Sequence, residues 1–209
     1  MSRHAKYQSV LQLGRDCRSP LLLDLGCCFG NDARKAVADG WPITGMISTD
    51  LRQELWDLGH FIAGDCLDPA FLSSESGHMS RSPPDLSSPA SLNDLHGKLT
   101  AIHASSVFHL FSAEQQASLV RAVAALLSPV PGSIVFGSHV GLPKQGTIRE
   151  EILGMTVEMY CYDPESWNKL WEDAGPFKTE AALKEVIAPN GETGWVMVWS
   201  ATMGTEFTV

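Results

Sequence analysis

Residues 21 to 32 read Leu-Leu-Leu-Asp-Leu-Gly-Cys-Cys-Phe-Gly-Asn-Asp, and no other stretch of this 209-residue chain limits its fold so sharply. An apolar run carries one acid, Asp24, turns through Gly26, Cys27, Cys28 and Gly30, and passes into a helical pattern over Asn31 to Asp39 with Ala33, Ala36 and Val37 on one face. Glycine lets a backbone turn that tightly and leaves room for a ligand against the main chain. The helix that follows points its unbonded N–H groups at that ligand. A strand, a glycine turn and a helix in this order predict a site for a nucleotide-like cofactor. The spacing Gly-x-x-x-Gly is not the Gly-x-Gly-x-x-Gly of a pyrophosphate loop. Cys28 stands where a middle glycine belongs, and its side chain crowds a diphosphate while leaving room for a nucleoside with an amino-acid tail. A turn that serves strand-to-helix packing alone is the plainer alternative.

Strand and helix signals keep alternating. Ile43 to Thr49 reads as a second strand ending at Asp50, Gln53 to Leu58 as a short helix, and Phe61 to Gly64 as a third strand followed by Asp65. Leu99 to His103 is a fourth strand and Ser133 to Gly137 a fifth. Between them Ser112 and Gln115 form a capping box for a helix to Leu127, with Ala113, Ala117, Val120, Ala124 and Leu127 as its apolar stripe. Asp163-Pro164 opens a further helix carrying Trp167, Leu170, Trp171 and Ala174, stopped by Gly175. Alternation of this kind means a parallel sheet. Lys178 to Ile187 and Trp195 to Thr202 are joined only by Ala-Pro-Asn-Gly-Glu-Thr, too short for a crossover, so these two strands pair antiparallel. The expected fold is α/β and Rossmann-like, a mostly parallel seven-stranded sheet closed by an antiparallel C-terminal hairpin. A single domain over 1–209 is expected, with a lead-in over 1–20 that contains a weak helix at Tyr7 to Leu13. The segment 73–89, with seven Ser and three Pro, reads as a solvated loop.

Composition removes several classes of function. A net charge of −9 opposes nucleic acid, which needs clustered Lys and Arg. No apolar run approaches the roughly 20 residues of a membrane span, and the first residues lack a signal-peptide core, so a cytoplasmic protein is expected. Five cysteines, an odd number in irregular spacing, read as reduced thiols, and the histidines are too scattered to predict a metal site.

The candidate site gathers at strand ends, where open α/β sheets bind ligands. Asp50 is placed to accept both hydroxyl protons of a ribose. Asp65 can accept from an adenine amino group while the Cys66 N–H donates to a ring nitrogen. Ala104, Ser105 and Ser106, at the tip of strand four, face the reacting end of such a cofactor. His103, His109 and His139 are placed to orient an acceptor or take its proton. Solvated or capping acids, and a His109 packed with Leu110 and Phe111, are the plainer alternatives. Ile152 to Tyr162 and the Trp-rich helix after it are candidates for an acceptor wall, a dimer surface or ordinary core.

Taken together, the Asp-x-Gly turn, Asp50, Asp65, the tip of strand four and the final hairpin resemble class I S-adenosylmethionine-dependent methyltransferases. The blocks LLLDLGCCFGNDARKAVADG, WDLGH, FIAGDCLDP, IHASSVFHLFSAEQQ and PGSIVFGSHVG are similar to the small fungal methyltransferases of meroterpenoid pathways, such as those of austinol, andrastin and terretonin biosynthesis. That resemblance implies methyl transfer to a small secondary-metabolite acceptor, in several cases a carboxylate, with Asp50, Leu51, Asp65 and Cys66 as cofactor contacts. The family carries a longer N-terminal segment and a longer crossover after Asp50. A cofactor-binding remnant without catalysis, and an NAD-dependent oxidoreductase, are the rival readings.

Overall fold

The run before the glycine turn becomes β1 (Leu22–Leu25), all four of its residues buried at the centre of a sheet. A computed structural model describes residues 1–52, 59–75, 84, 86, 90–152, 155–187, 191 and 193–205. β1 pairs in parallel with β2 (Met46–Asp50) on one side and β4 (Ala101–Ala104) on the other. β3 (His60–Ala63) continues beyond β2, and β5 (Ile134–Val140) beyond β4, also in parallel. Residues 51–59 alone connect β2 to β3, and the two still pair in parallel. The helix expected over Gln53 to Leu58 lies outside the described residues. Strand two starts later than expected, because Ile43–Gly45 winds into a 3-10 turn. A Cβ on Gly45 would meet the carbonyl of Pro20 at 2.0 Å, so glycine lets this turn tuck under β1.

The sheet is completed by β8 (Phe177–Ile187) and β9 (Thr193–Met203), antiparallel as the short connection requires. Among the described residues its order is β3-β2-β1-β4-β5-β9-β8, with β9 running against both β5 and β8. This is the mostly parallel seven-stranded sheet expected from the sequence. Both of its faces are covered, so the central strands are buried on both sides. Leu22, Met46, Ala101 and Phe136 face α1 (Tyr7–Asp16) and α2 (Asn31–Ala38), and Leu23, Ile47, Ile102 and Val135 face the opposite layer. That layer holds α3 (Ala113–Leu126) and α4 (Pro164–Glu172). The Ser112 hydroxyl accepts from the Gln115 backbone N–H and the Gln115 side-chain Oε1 accepts from the Ser112 N–H, the capping box read from sequence. Asp163 caps α4, accepting from the Ser166 N–H at 2.8 Å.

One pair of strands was not expected. β6 (Gly146–Ile152) and β7 (Met155–Cys161) form a separate antiparallel hairpin. The apolar segment Ile152 to Tyr162 therefore lies mostly in a strand, tied to α3 where the Gln116 side-chain N–H donates to the Tyr160 carbonyl at 2.8 Å. Among the described residues no helix is long and apolar enough to cross a membrane.

Candidate functional site

A cavity of about 280 Å³ opens above the C-terminal ends of β1, β2 and β3. Gly26, Cys28, Asp50, Leu51, Asp65, Cys66 and Ser106 line it. Leu25, Thr49, Gly64, Val107, Leu110 and Phe111 complete the wall. Asp24, Cys27, Gly30, Ala104, Ser105, His103 and His139 are not among the lining residues. The additional lining residues carry little signal in sequence; Leu110 and Phe111 read there as ordinary packing.

The glycine turn is closed on itself. The Gly26 and Cys27 N–H groups both donate to the Thr49 carbonyl, at 2.9 and 3.1 Å, and the Gly30 N–H donates to the Cys27 carbonyl at 2.7 Å. The Cys28 N–H donates to Asp50 Oδ2 at 2.9 Å, while Asp50 Oδ1 accepts from the Leu51 N–H at 2.8 Å. Each Asp50 oxygen keeps a lone pair for a ligand. Gly26 has φ +68°, and a Cβ there would meet Val107 Cγ2 at 2.5 Å, so only glycine lets the tip of β1 and the turn after β4 approach. Cys28 takes φ +48°, a left-handed conformation held by its bond to Asp50. Asp65 Oδ1 accepts from the Leu67 N–H at 2.9 Å, turning the chain sharply at the end of β3. Burial pushes the Cys27 thiol up to about 12 and the Cys66 thiol up to about 11, so both stay protonated near neutral pH.

Beside the cavity runs a buried chain of polar groups. Asp24 and His103 are register partners on β1 and β4, and Asp24 Oδ1 lies 2.7 Å from His103 Nδ1. A carboxylate only accepts, so Nδ1 carries the proton; in the neutral ring Nε2 is then bare and accepts from the Ser105 hydroxyl at 2.9 Å. Ser105 Oγ in turn accepts from the Ser138 N–H at 3.2 Å.

His139 sits apart from this chain, in an aromatic cluster. Trp199 Nε1–H donates to His139 Nδ1 at 2.9 Å, and the Trp167 ring meets the imidazole edge-on at 4.5 Å. Burial, with a smaller contribution from His109, lowers the His139 pKa to about 3. The ring is therefore neutral, its proton on Nε2, and cannot take a second proton near pH 7. His109 stacks toward it at 6.2 Å and is also held below its usual value by burial.

No family model matches the chain. Among curated proteins it is 33% identical over 181 residues to methyltransferase ausD of Aspergillus calidoustus, covering 87% of this chain and 61% of that protein. It is 32% identical over 171 residues to O-methyltransferase phiE of a fungal species, covering 81% of this chain and 53% of that protein. The chain thus spans between half and two thirds of the length of these relatives. Among solved structures, an S-adenosylmethionine-dependent methyltransferase of Methanosarcina mazei aligns with TM-score 0.60 at 12% identity, covering 91% of this chain and 95% of that one. The 1,6-didemethyltoxoflavin-N1-methyltransferase of Burkholderia thailandensis, solved with its substrate and S-adenosylhomocysteine, aligns with TM-score 0.59 at 12% identity over 96% of this chain and 80% of that one. The fold is that of the Rossmann-like S-adenosylmethionine-dependent methyltransferases.

Proposed function

We propose that this chain binds S-adenosylmethionine in the cavity above β1, β2 and β3 and passes its methyl group to an oxygen of a small secondary-metabolite acceptor. The turn between β1 and α2 carries the reading: its Gly26, Cys27, Cys28 and Gly30 N–H groups are all consumed by protein acceptors. A diphosphate needs such groups free. The lining residues include Asp50 and Asp65 but no Lys or Arg, a setting that favours a ligand with positive charge over NAD. The residues fit a nucleoside carrying a sulfonium and an amino-acid tail.

Asp50, already braced by two backbone N–H groups, is set to receive the ribose hydroxyls, and Asp65 with the Cys66 N–H the adenine edge. Gly26 and Cys28 border the tail, and Ser106 and Val107 the reacting end. When bound, the cofactor supplies an electrophilic methyl carbon. What the chain contributes is alignment, which replaces a chance encounter by a fixed approach. Leu51 and Leu110, exposed by 69% and 58% at the cavity rim, offer an apolar rest for the body of the acceptor. A carboxylate acceptor, the class implied by the sequence resemblance, arrives ionised and needs no base, but finds no cation among the lining residues.

Calorimetric titration tests the reading. S-adenosylhomocysteine should bind the wild type, and Asp50→Ala should weaken it by about 10- to 100-fold, the value of charge-assisted hydrogen bonds to two hydroxyls. Binding of NAD without S-adenosylhomocysteine would overturn it. Label transfer from methyl-labelled S-adenosylmethionine to a panel of phenols and carboxylic acids tests the catalytic half. Tight binding with no transfer to any acceptor would favour a cofactor-binding protein instead.

A further inference from the structure

Asp24, His103 and Ser105 form a continuous donor–acceptor chain that ends one residue before Ser106 of the cavity wall, and a neutral His103 gives it a direction. With His103 neutral and its proton on Nδ1, the Ser105 proton goes to His103 Nε2, and one Ser105 lone pair takes the Ser138 N–H. One lone pair remains on Ser105 Oγ. Its neighbour is Ser138 Oγ, in a long contact at 3.5 Å; Ser105 is half-buried and directly precedes Ser106, which lines the cavity. Ser106 holds φ +57° with its N–H on the Ser138 carbonyl at 2.8 Å, so the chain turns immediately after Ser105, at a residue that lines the cavity. A group resting on Ser105 must bring its own proton, and a carboxylate cannot.

Resting on the methyl-transfer reading above, we propose that Ser105 is a catalytic residue and that His103 and Asp24 act through it as positioning residues, a relay that deprotonates a neutral hydroxyl acceptor of the phenol or enol class. In the step, the acceptor O–H bond breaks and its proton goes to Ser105 Oγ while the Ser105 proton moves to His103 Nε2. His103 becomes an imidazolium paired with the Asp24 carboxylate. The acceptor oxygen bonds to the methyl carbon, the carbon–sulfur bond breaks, and its electron pair stays on sulfur as a neutral thioether. The proton on His103 then returns through Ser105 to water. The titratable groups around the relay are Asp24 on β1, the Cys27 thiol beyond it, and His4 of the N-terminal segment. The His4 ring packs on the same Phe136 ring as His103, at 5.2 and 5.3 Å.

Two measurements test the relay. In nitrogen-15 spectra of the ligand-free protein, His103 should show a proton on Nδ1, strongly deshielded by Asp24, and an unprotonated Nε2 whose shift moves in Ser105→Ala. A proton on Nε2 instead would overturn the direction of the chain whatever the protein binds. In turnover, His103→Gln and Ser105→Ala should each lower phenol methylation by about 100-fold or more at neutral pH, the usual worth of general base catalysis. S-adenosylhomocysteine affinity should stay within a few-fold. The lost rate should return in the variants as the pH approaches about 10, where a phenol ionises unaided. A uniform loss of cofactor affinity and rate at every pH, or turnover restricted to carboxylic acids and indifferent to Ser105→Ala, would reduce the chain to a structural brace. If the wild type fails to bind S-adenosylhomocysteine, the methyl-transfer reading falls on that result, and the imidazole spectrum still decides the relay's proton order.

Discussion

At the scale of single residues, the site depends on close approaches that leave no space for a side chain. Gly26→Ala adds a methyl group within 2.5 Å of Val107 Cγ2 at a positive φ, and both penalties act on the cofactor loop. The expected cost is about 1–3 kcal/mol in stability. A loss of S-adenosylhomocysteine affinity should accompany it, and Gly26→Ala with Val107→Ala should recover part of both because the clash is removed and the strained φ is not. Equal behaviour of the single and double variants in denaturant titration would show that the Val107 contact is irrelevant. Gly26, Asp50 and Asp65 are legible in the sequence because each follows an apolar run at a strand tip, where local chemistry announces position. The pairing of Asp24 with His103 is not legible. It depends on the register of β1 against β4, strands separated by most of the first half of the chain, and a register is a tertiary fact. For the same reason nothing in the sequence connects Trp199 with His139.

Among the elements, local signals and distant ones divide in the same way. The cap of α3 is complete in four consecutive letters, Ser112 to Gln115, and Ser112→Ala should cost about 1 kcal/mol. Because Gln115 completes the same box, Ser112→Ala with Gln115→Ala should cost less than the sum of the two single changes. Additive midpoints in urea would argue that the box is not formed. The final hairpin is equally legible, since the five residues between β8 and β9 leave no length for a crossover. The β6–β7 hairpin is harder to read: Val157, Met159 and Cys161 do alternate with Thr156, Glu158 and Tyr160, but an apolar stretch of that length suits core or surface as well. The strand pairs are what separate these options, and Arg149 facing Glu158 at 2.8 Å places the charged side of the hairpin outward.

For the molecule as a whole, acid acts on stability through three histidines that the fold buries. His4, His109 and His139 are all held below their ordinary pKa by burial. The folded state keeps them neutral while the unfolded chain takes up protons, so their share of stability is complete above about pH 6.5 and falls as the pH drops below it. For His139 the decline continues to about pH 3. Denaturation midpoints should fall between about pH 7.5 and about pH 5, and the slope should be shallower in His139→Gln. Identical slopes in wild type and variant would mean that His139 titrates normally. The same His139 depends on β9, and β9 occupies the slot between β5 and β8 although it follows both in the chain. During synthesis, then, β5 emerges with its outer row of hydrogen-bonding groups bare and waits through more than fifty residues for its partner. The nascent protein carries an open, adhesive sheet margin until β9 leaves the ribosome, and the pairing of β9 also delivers Trp199 to orient His139.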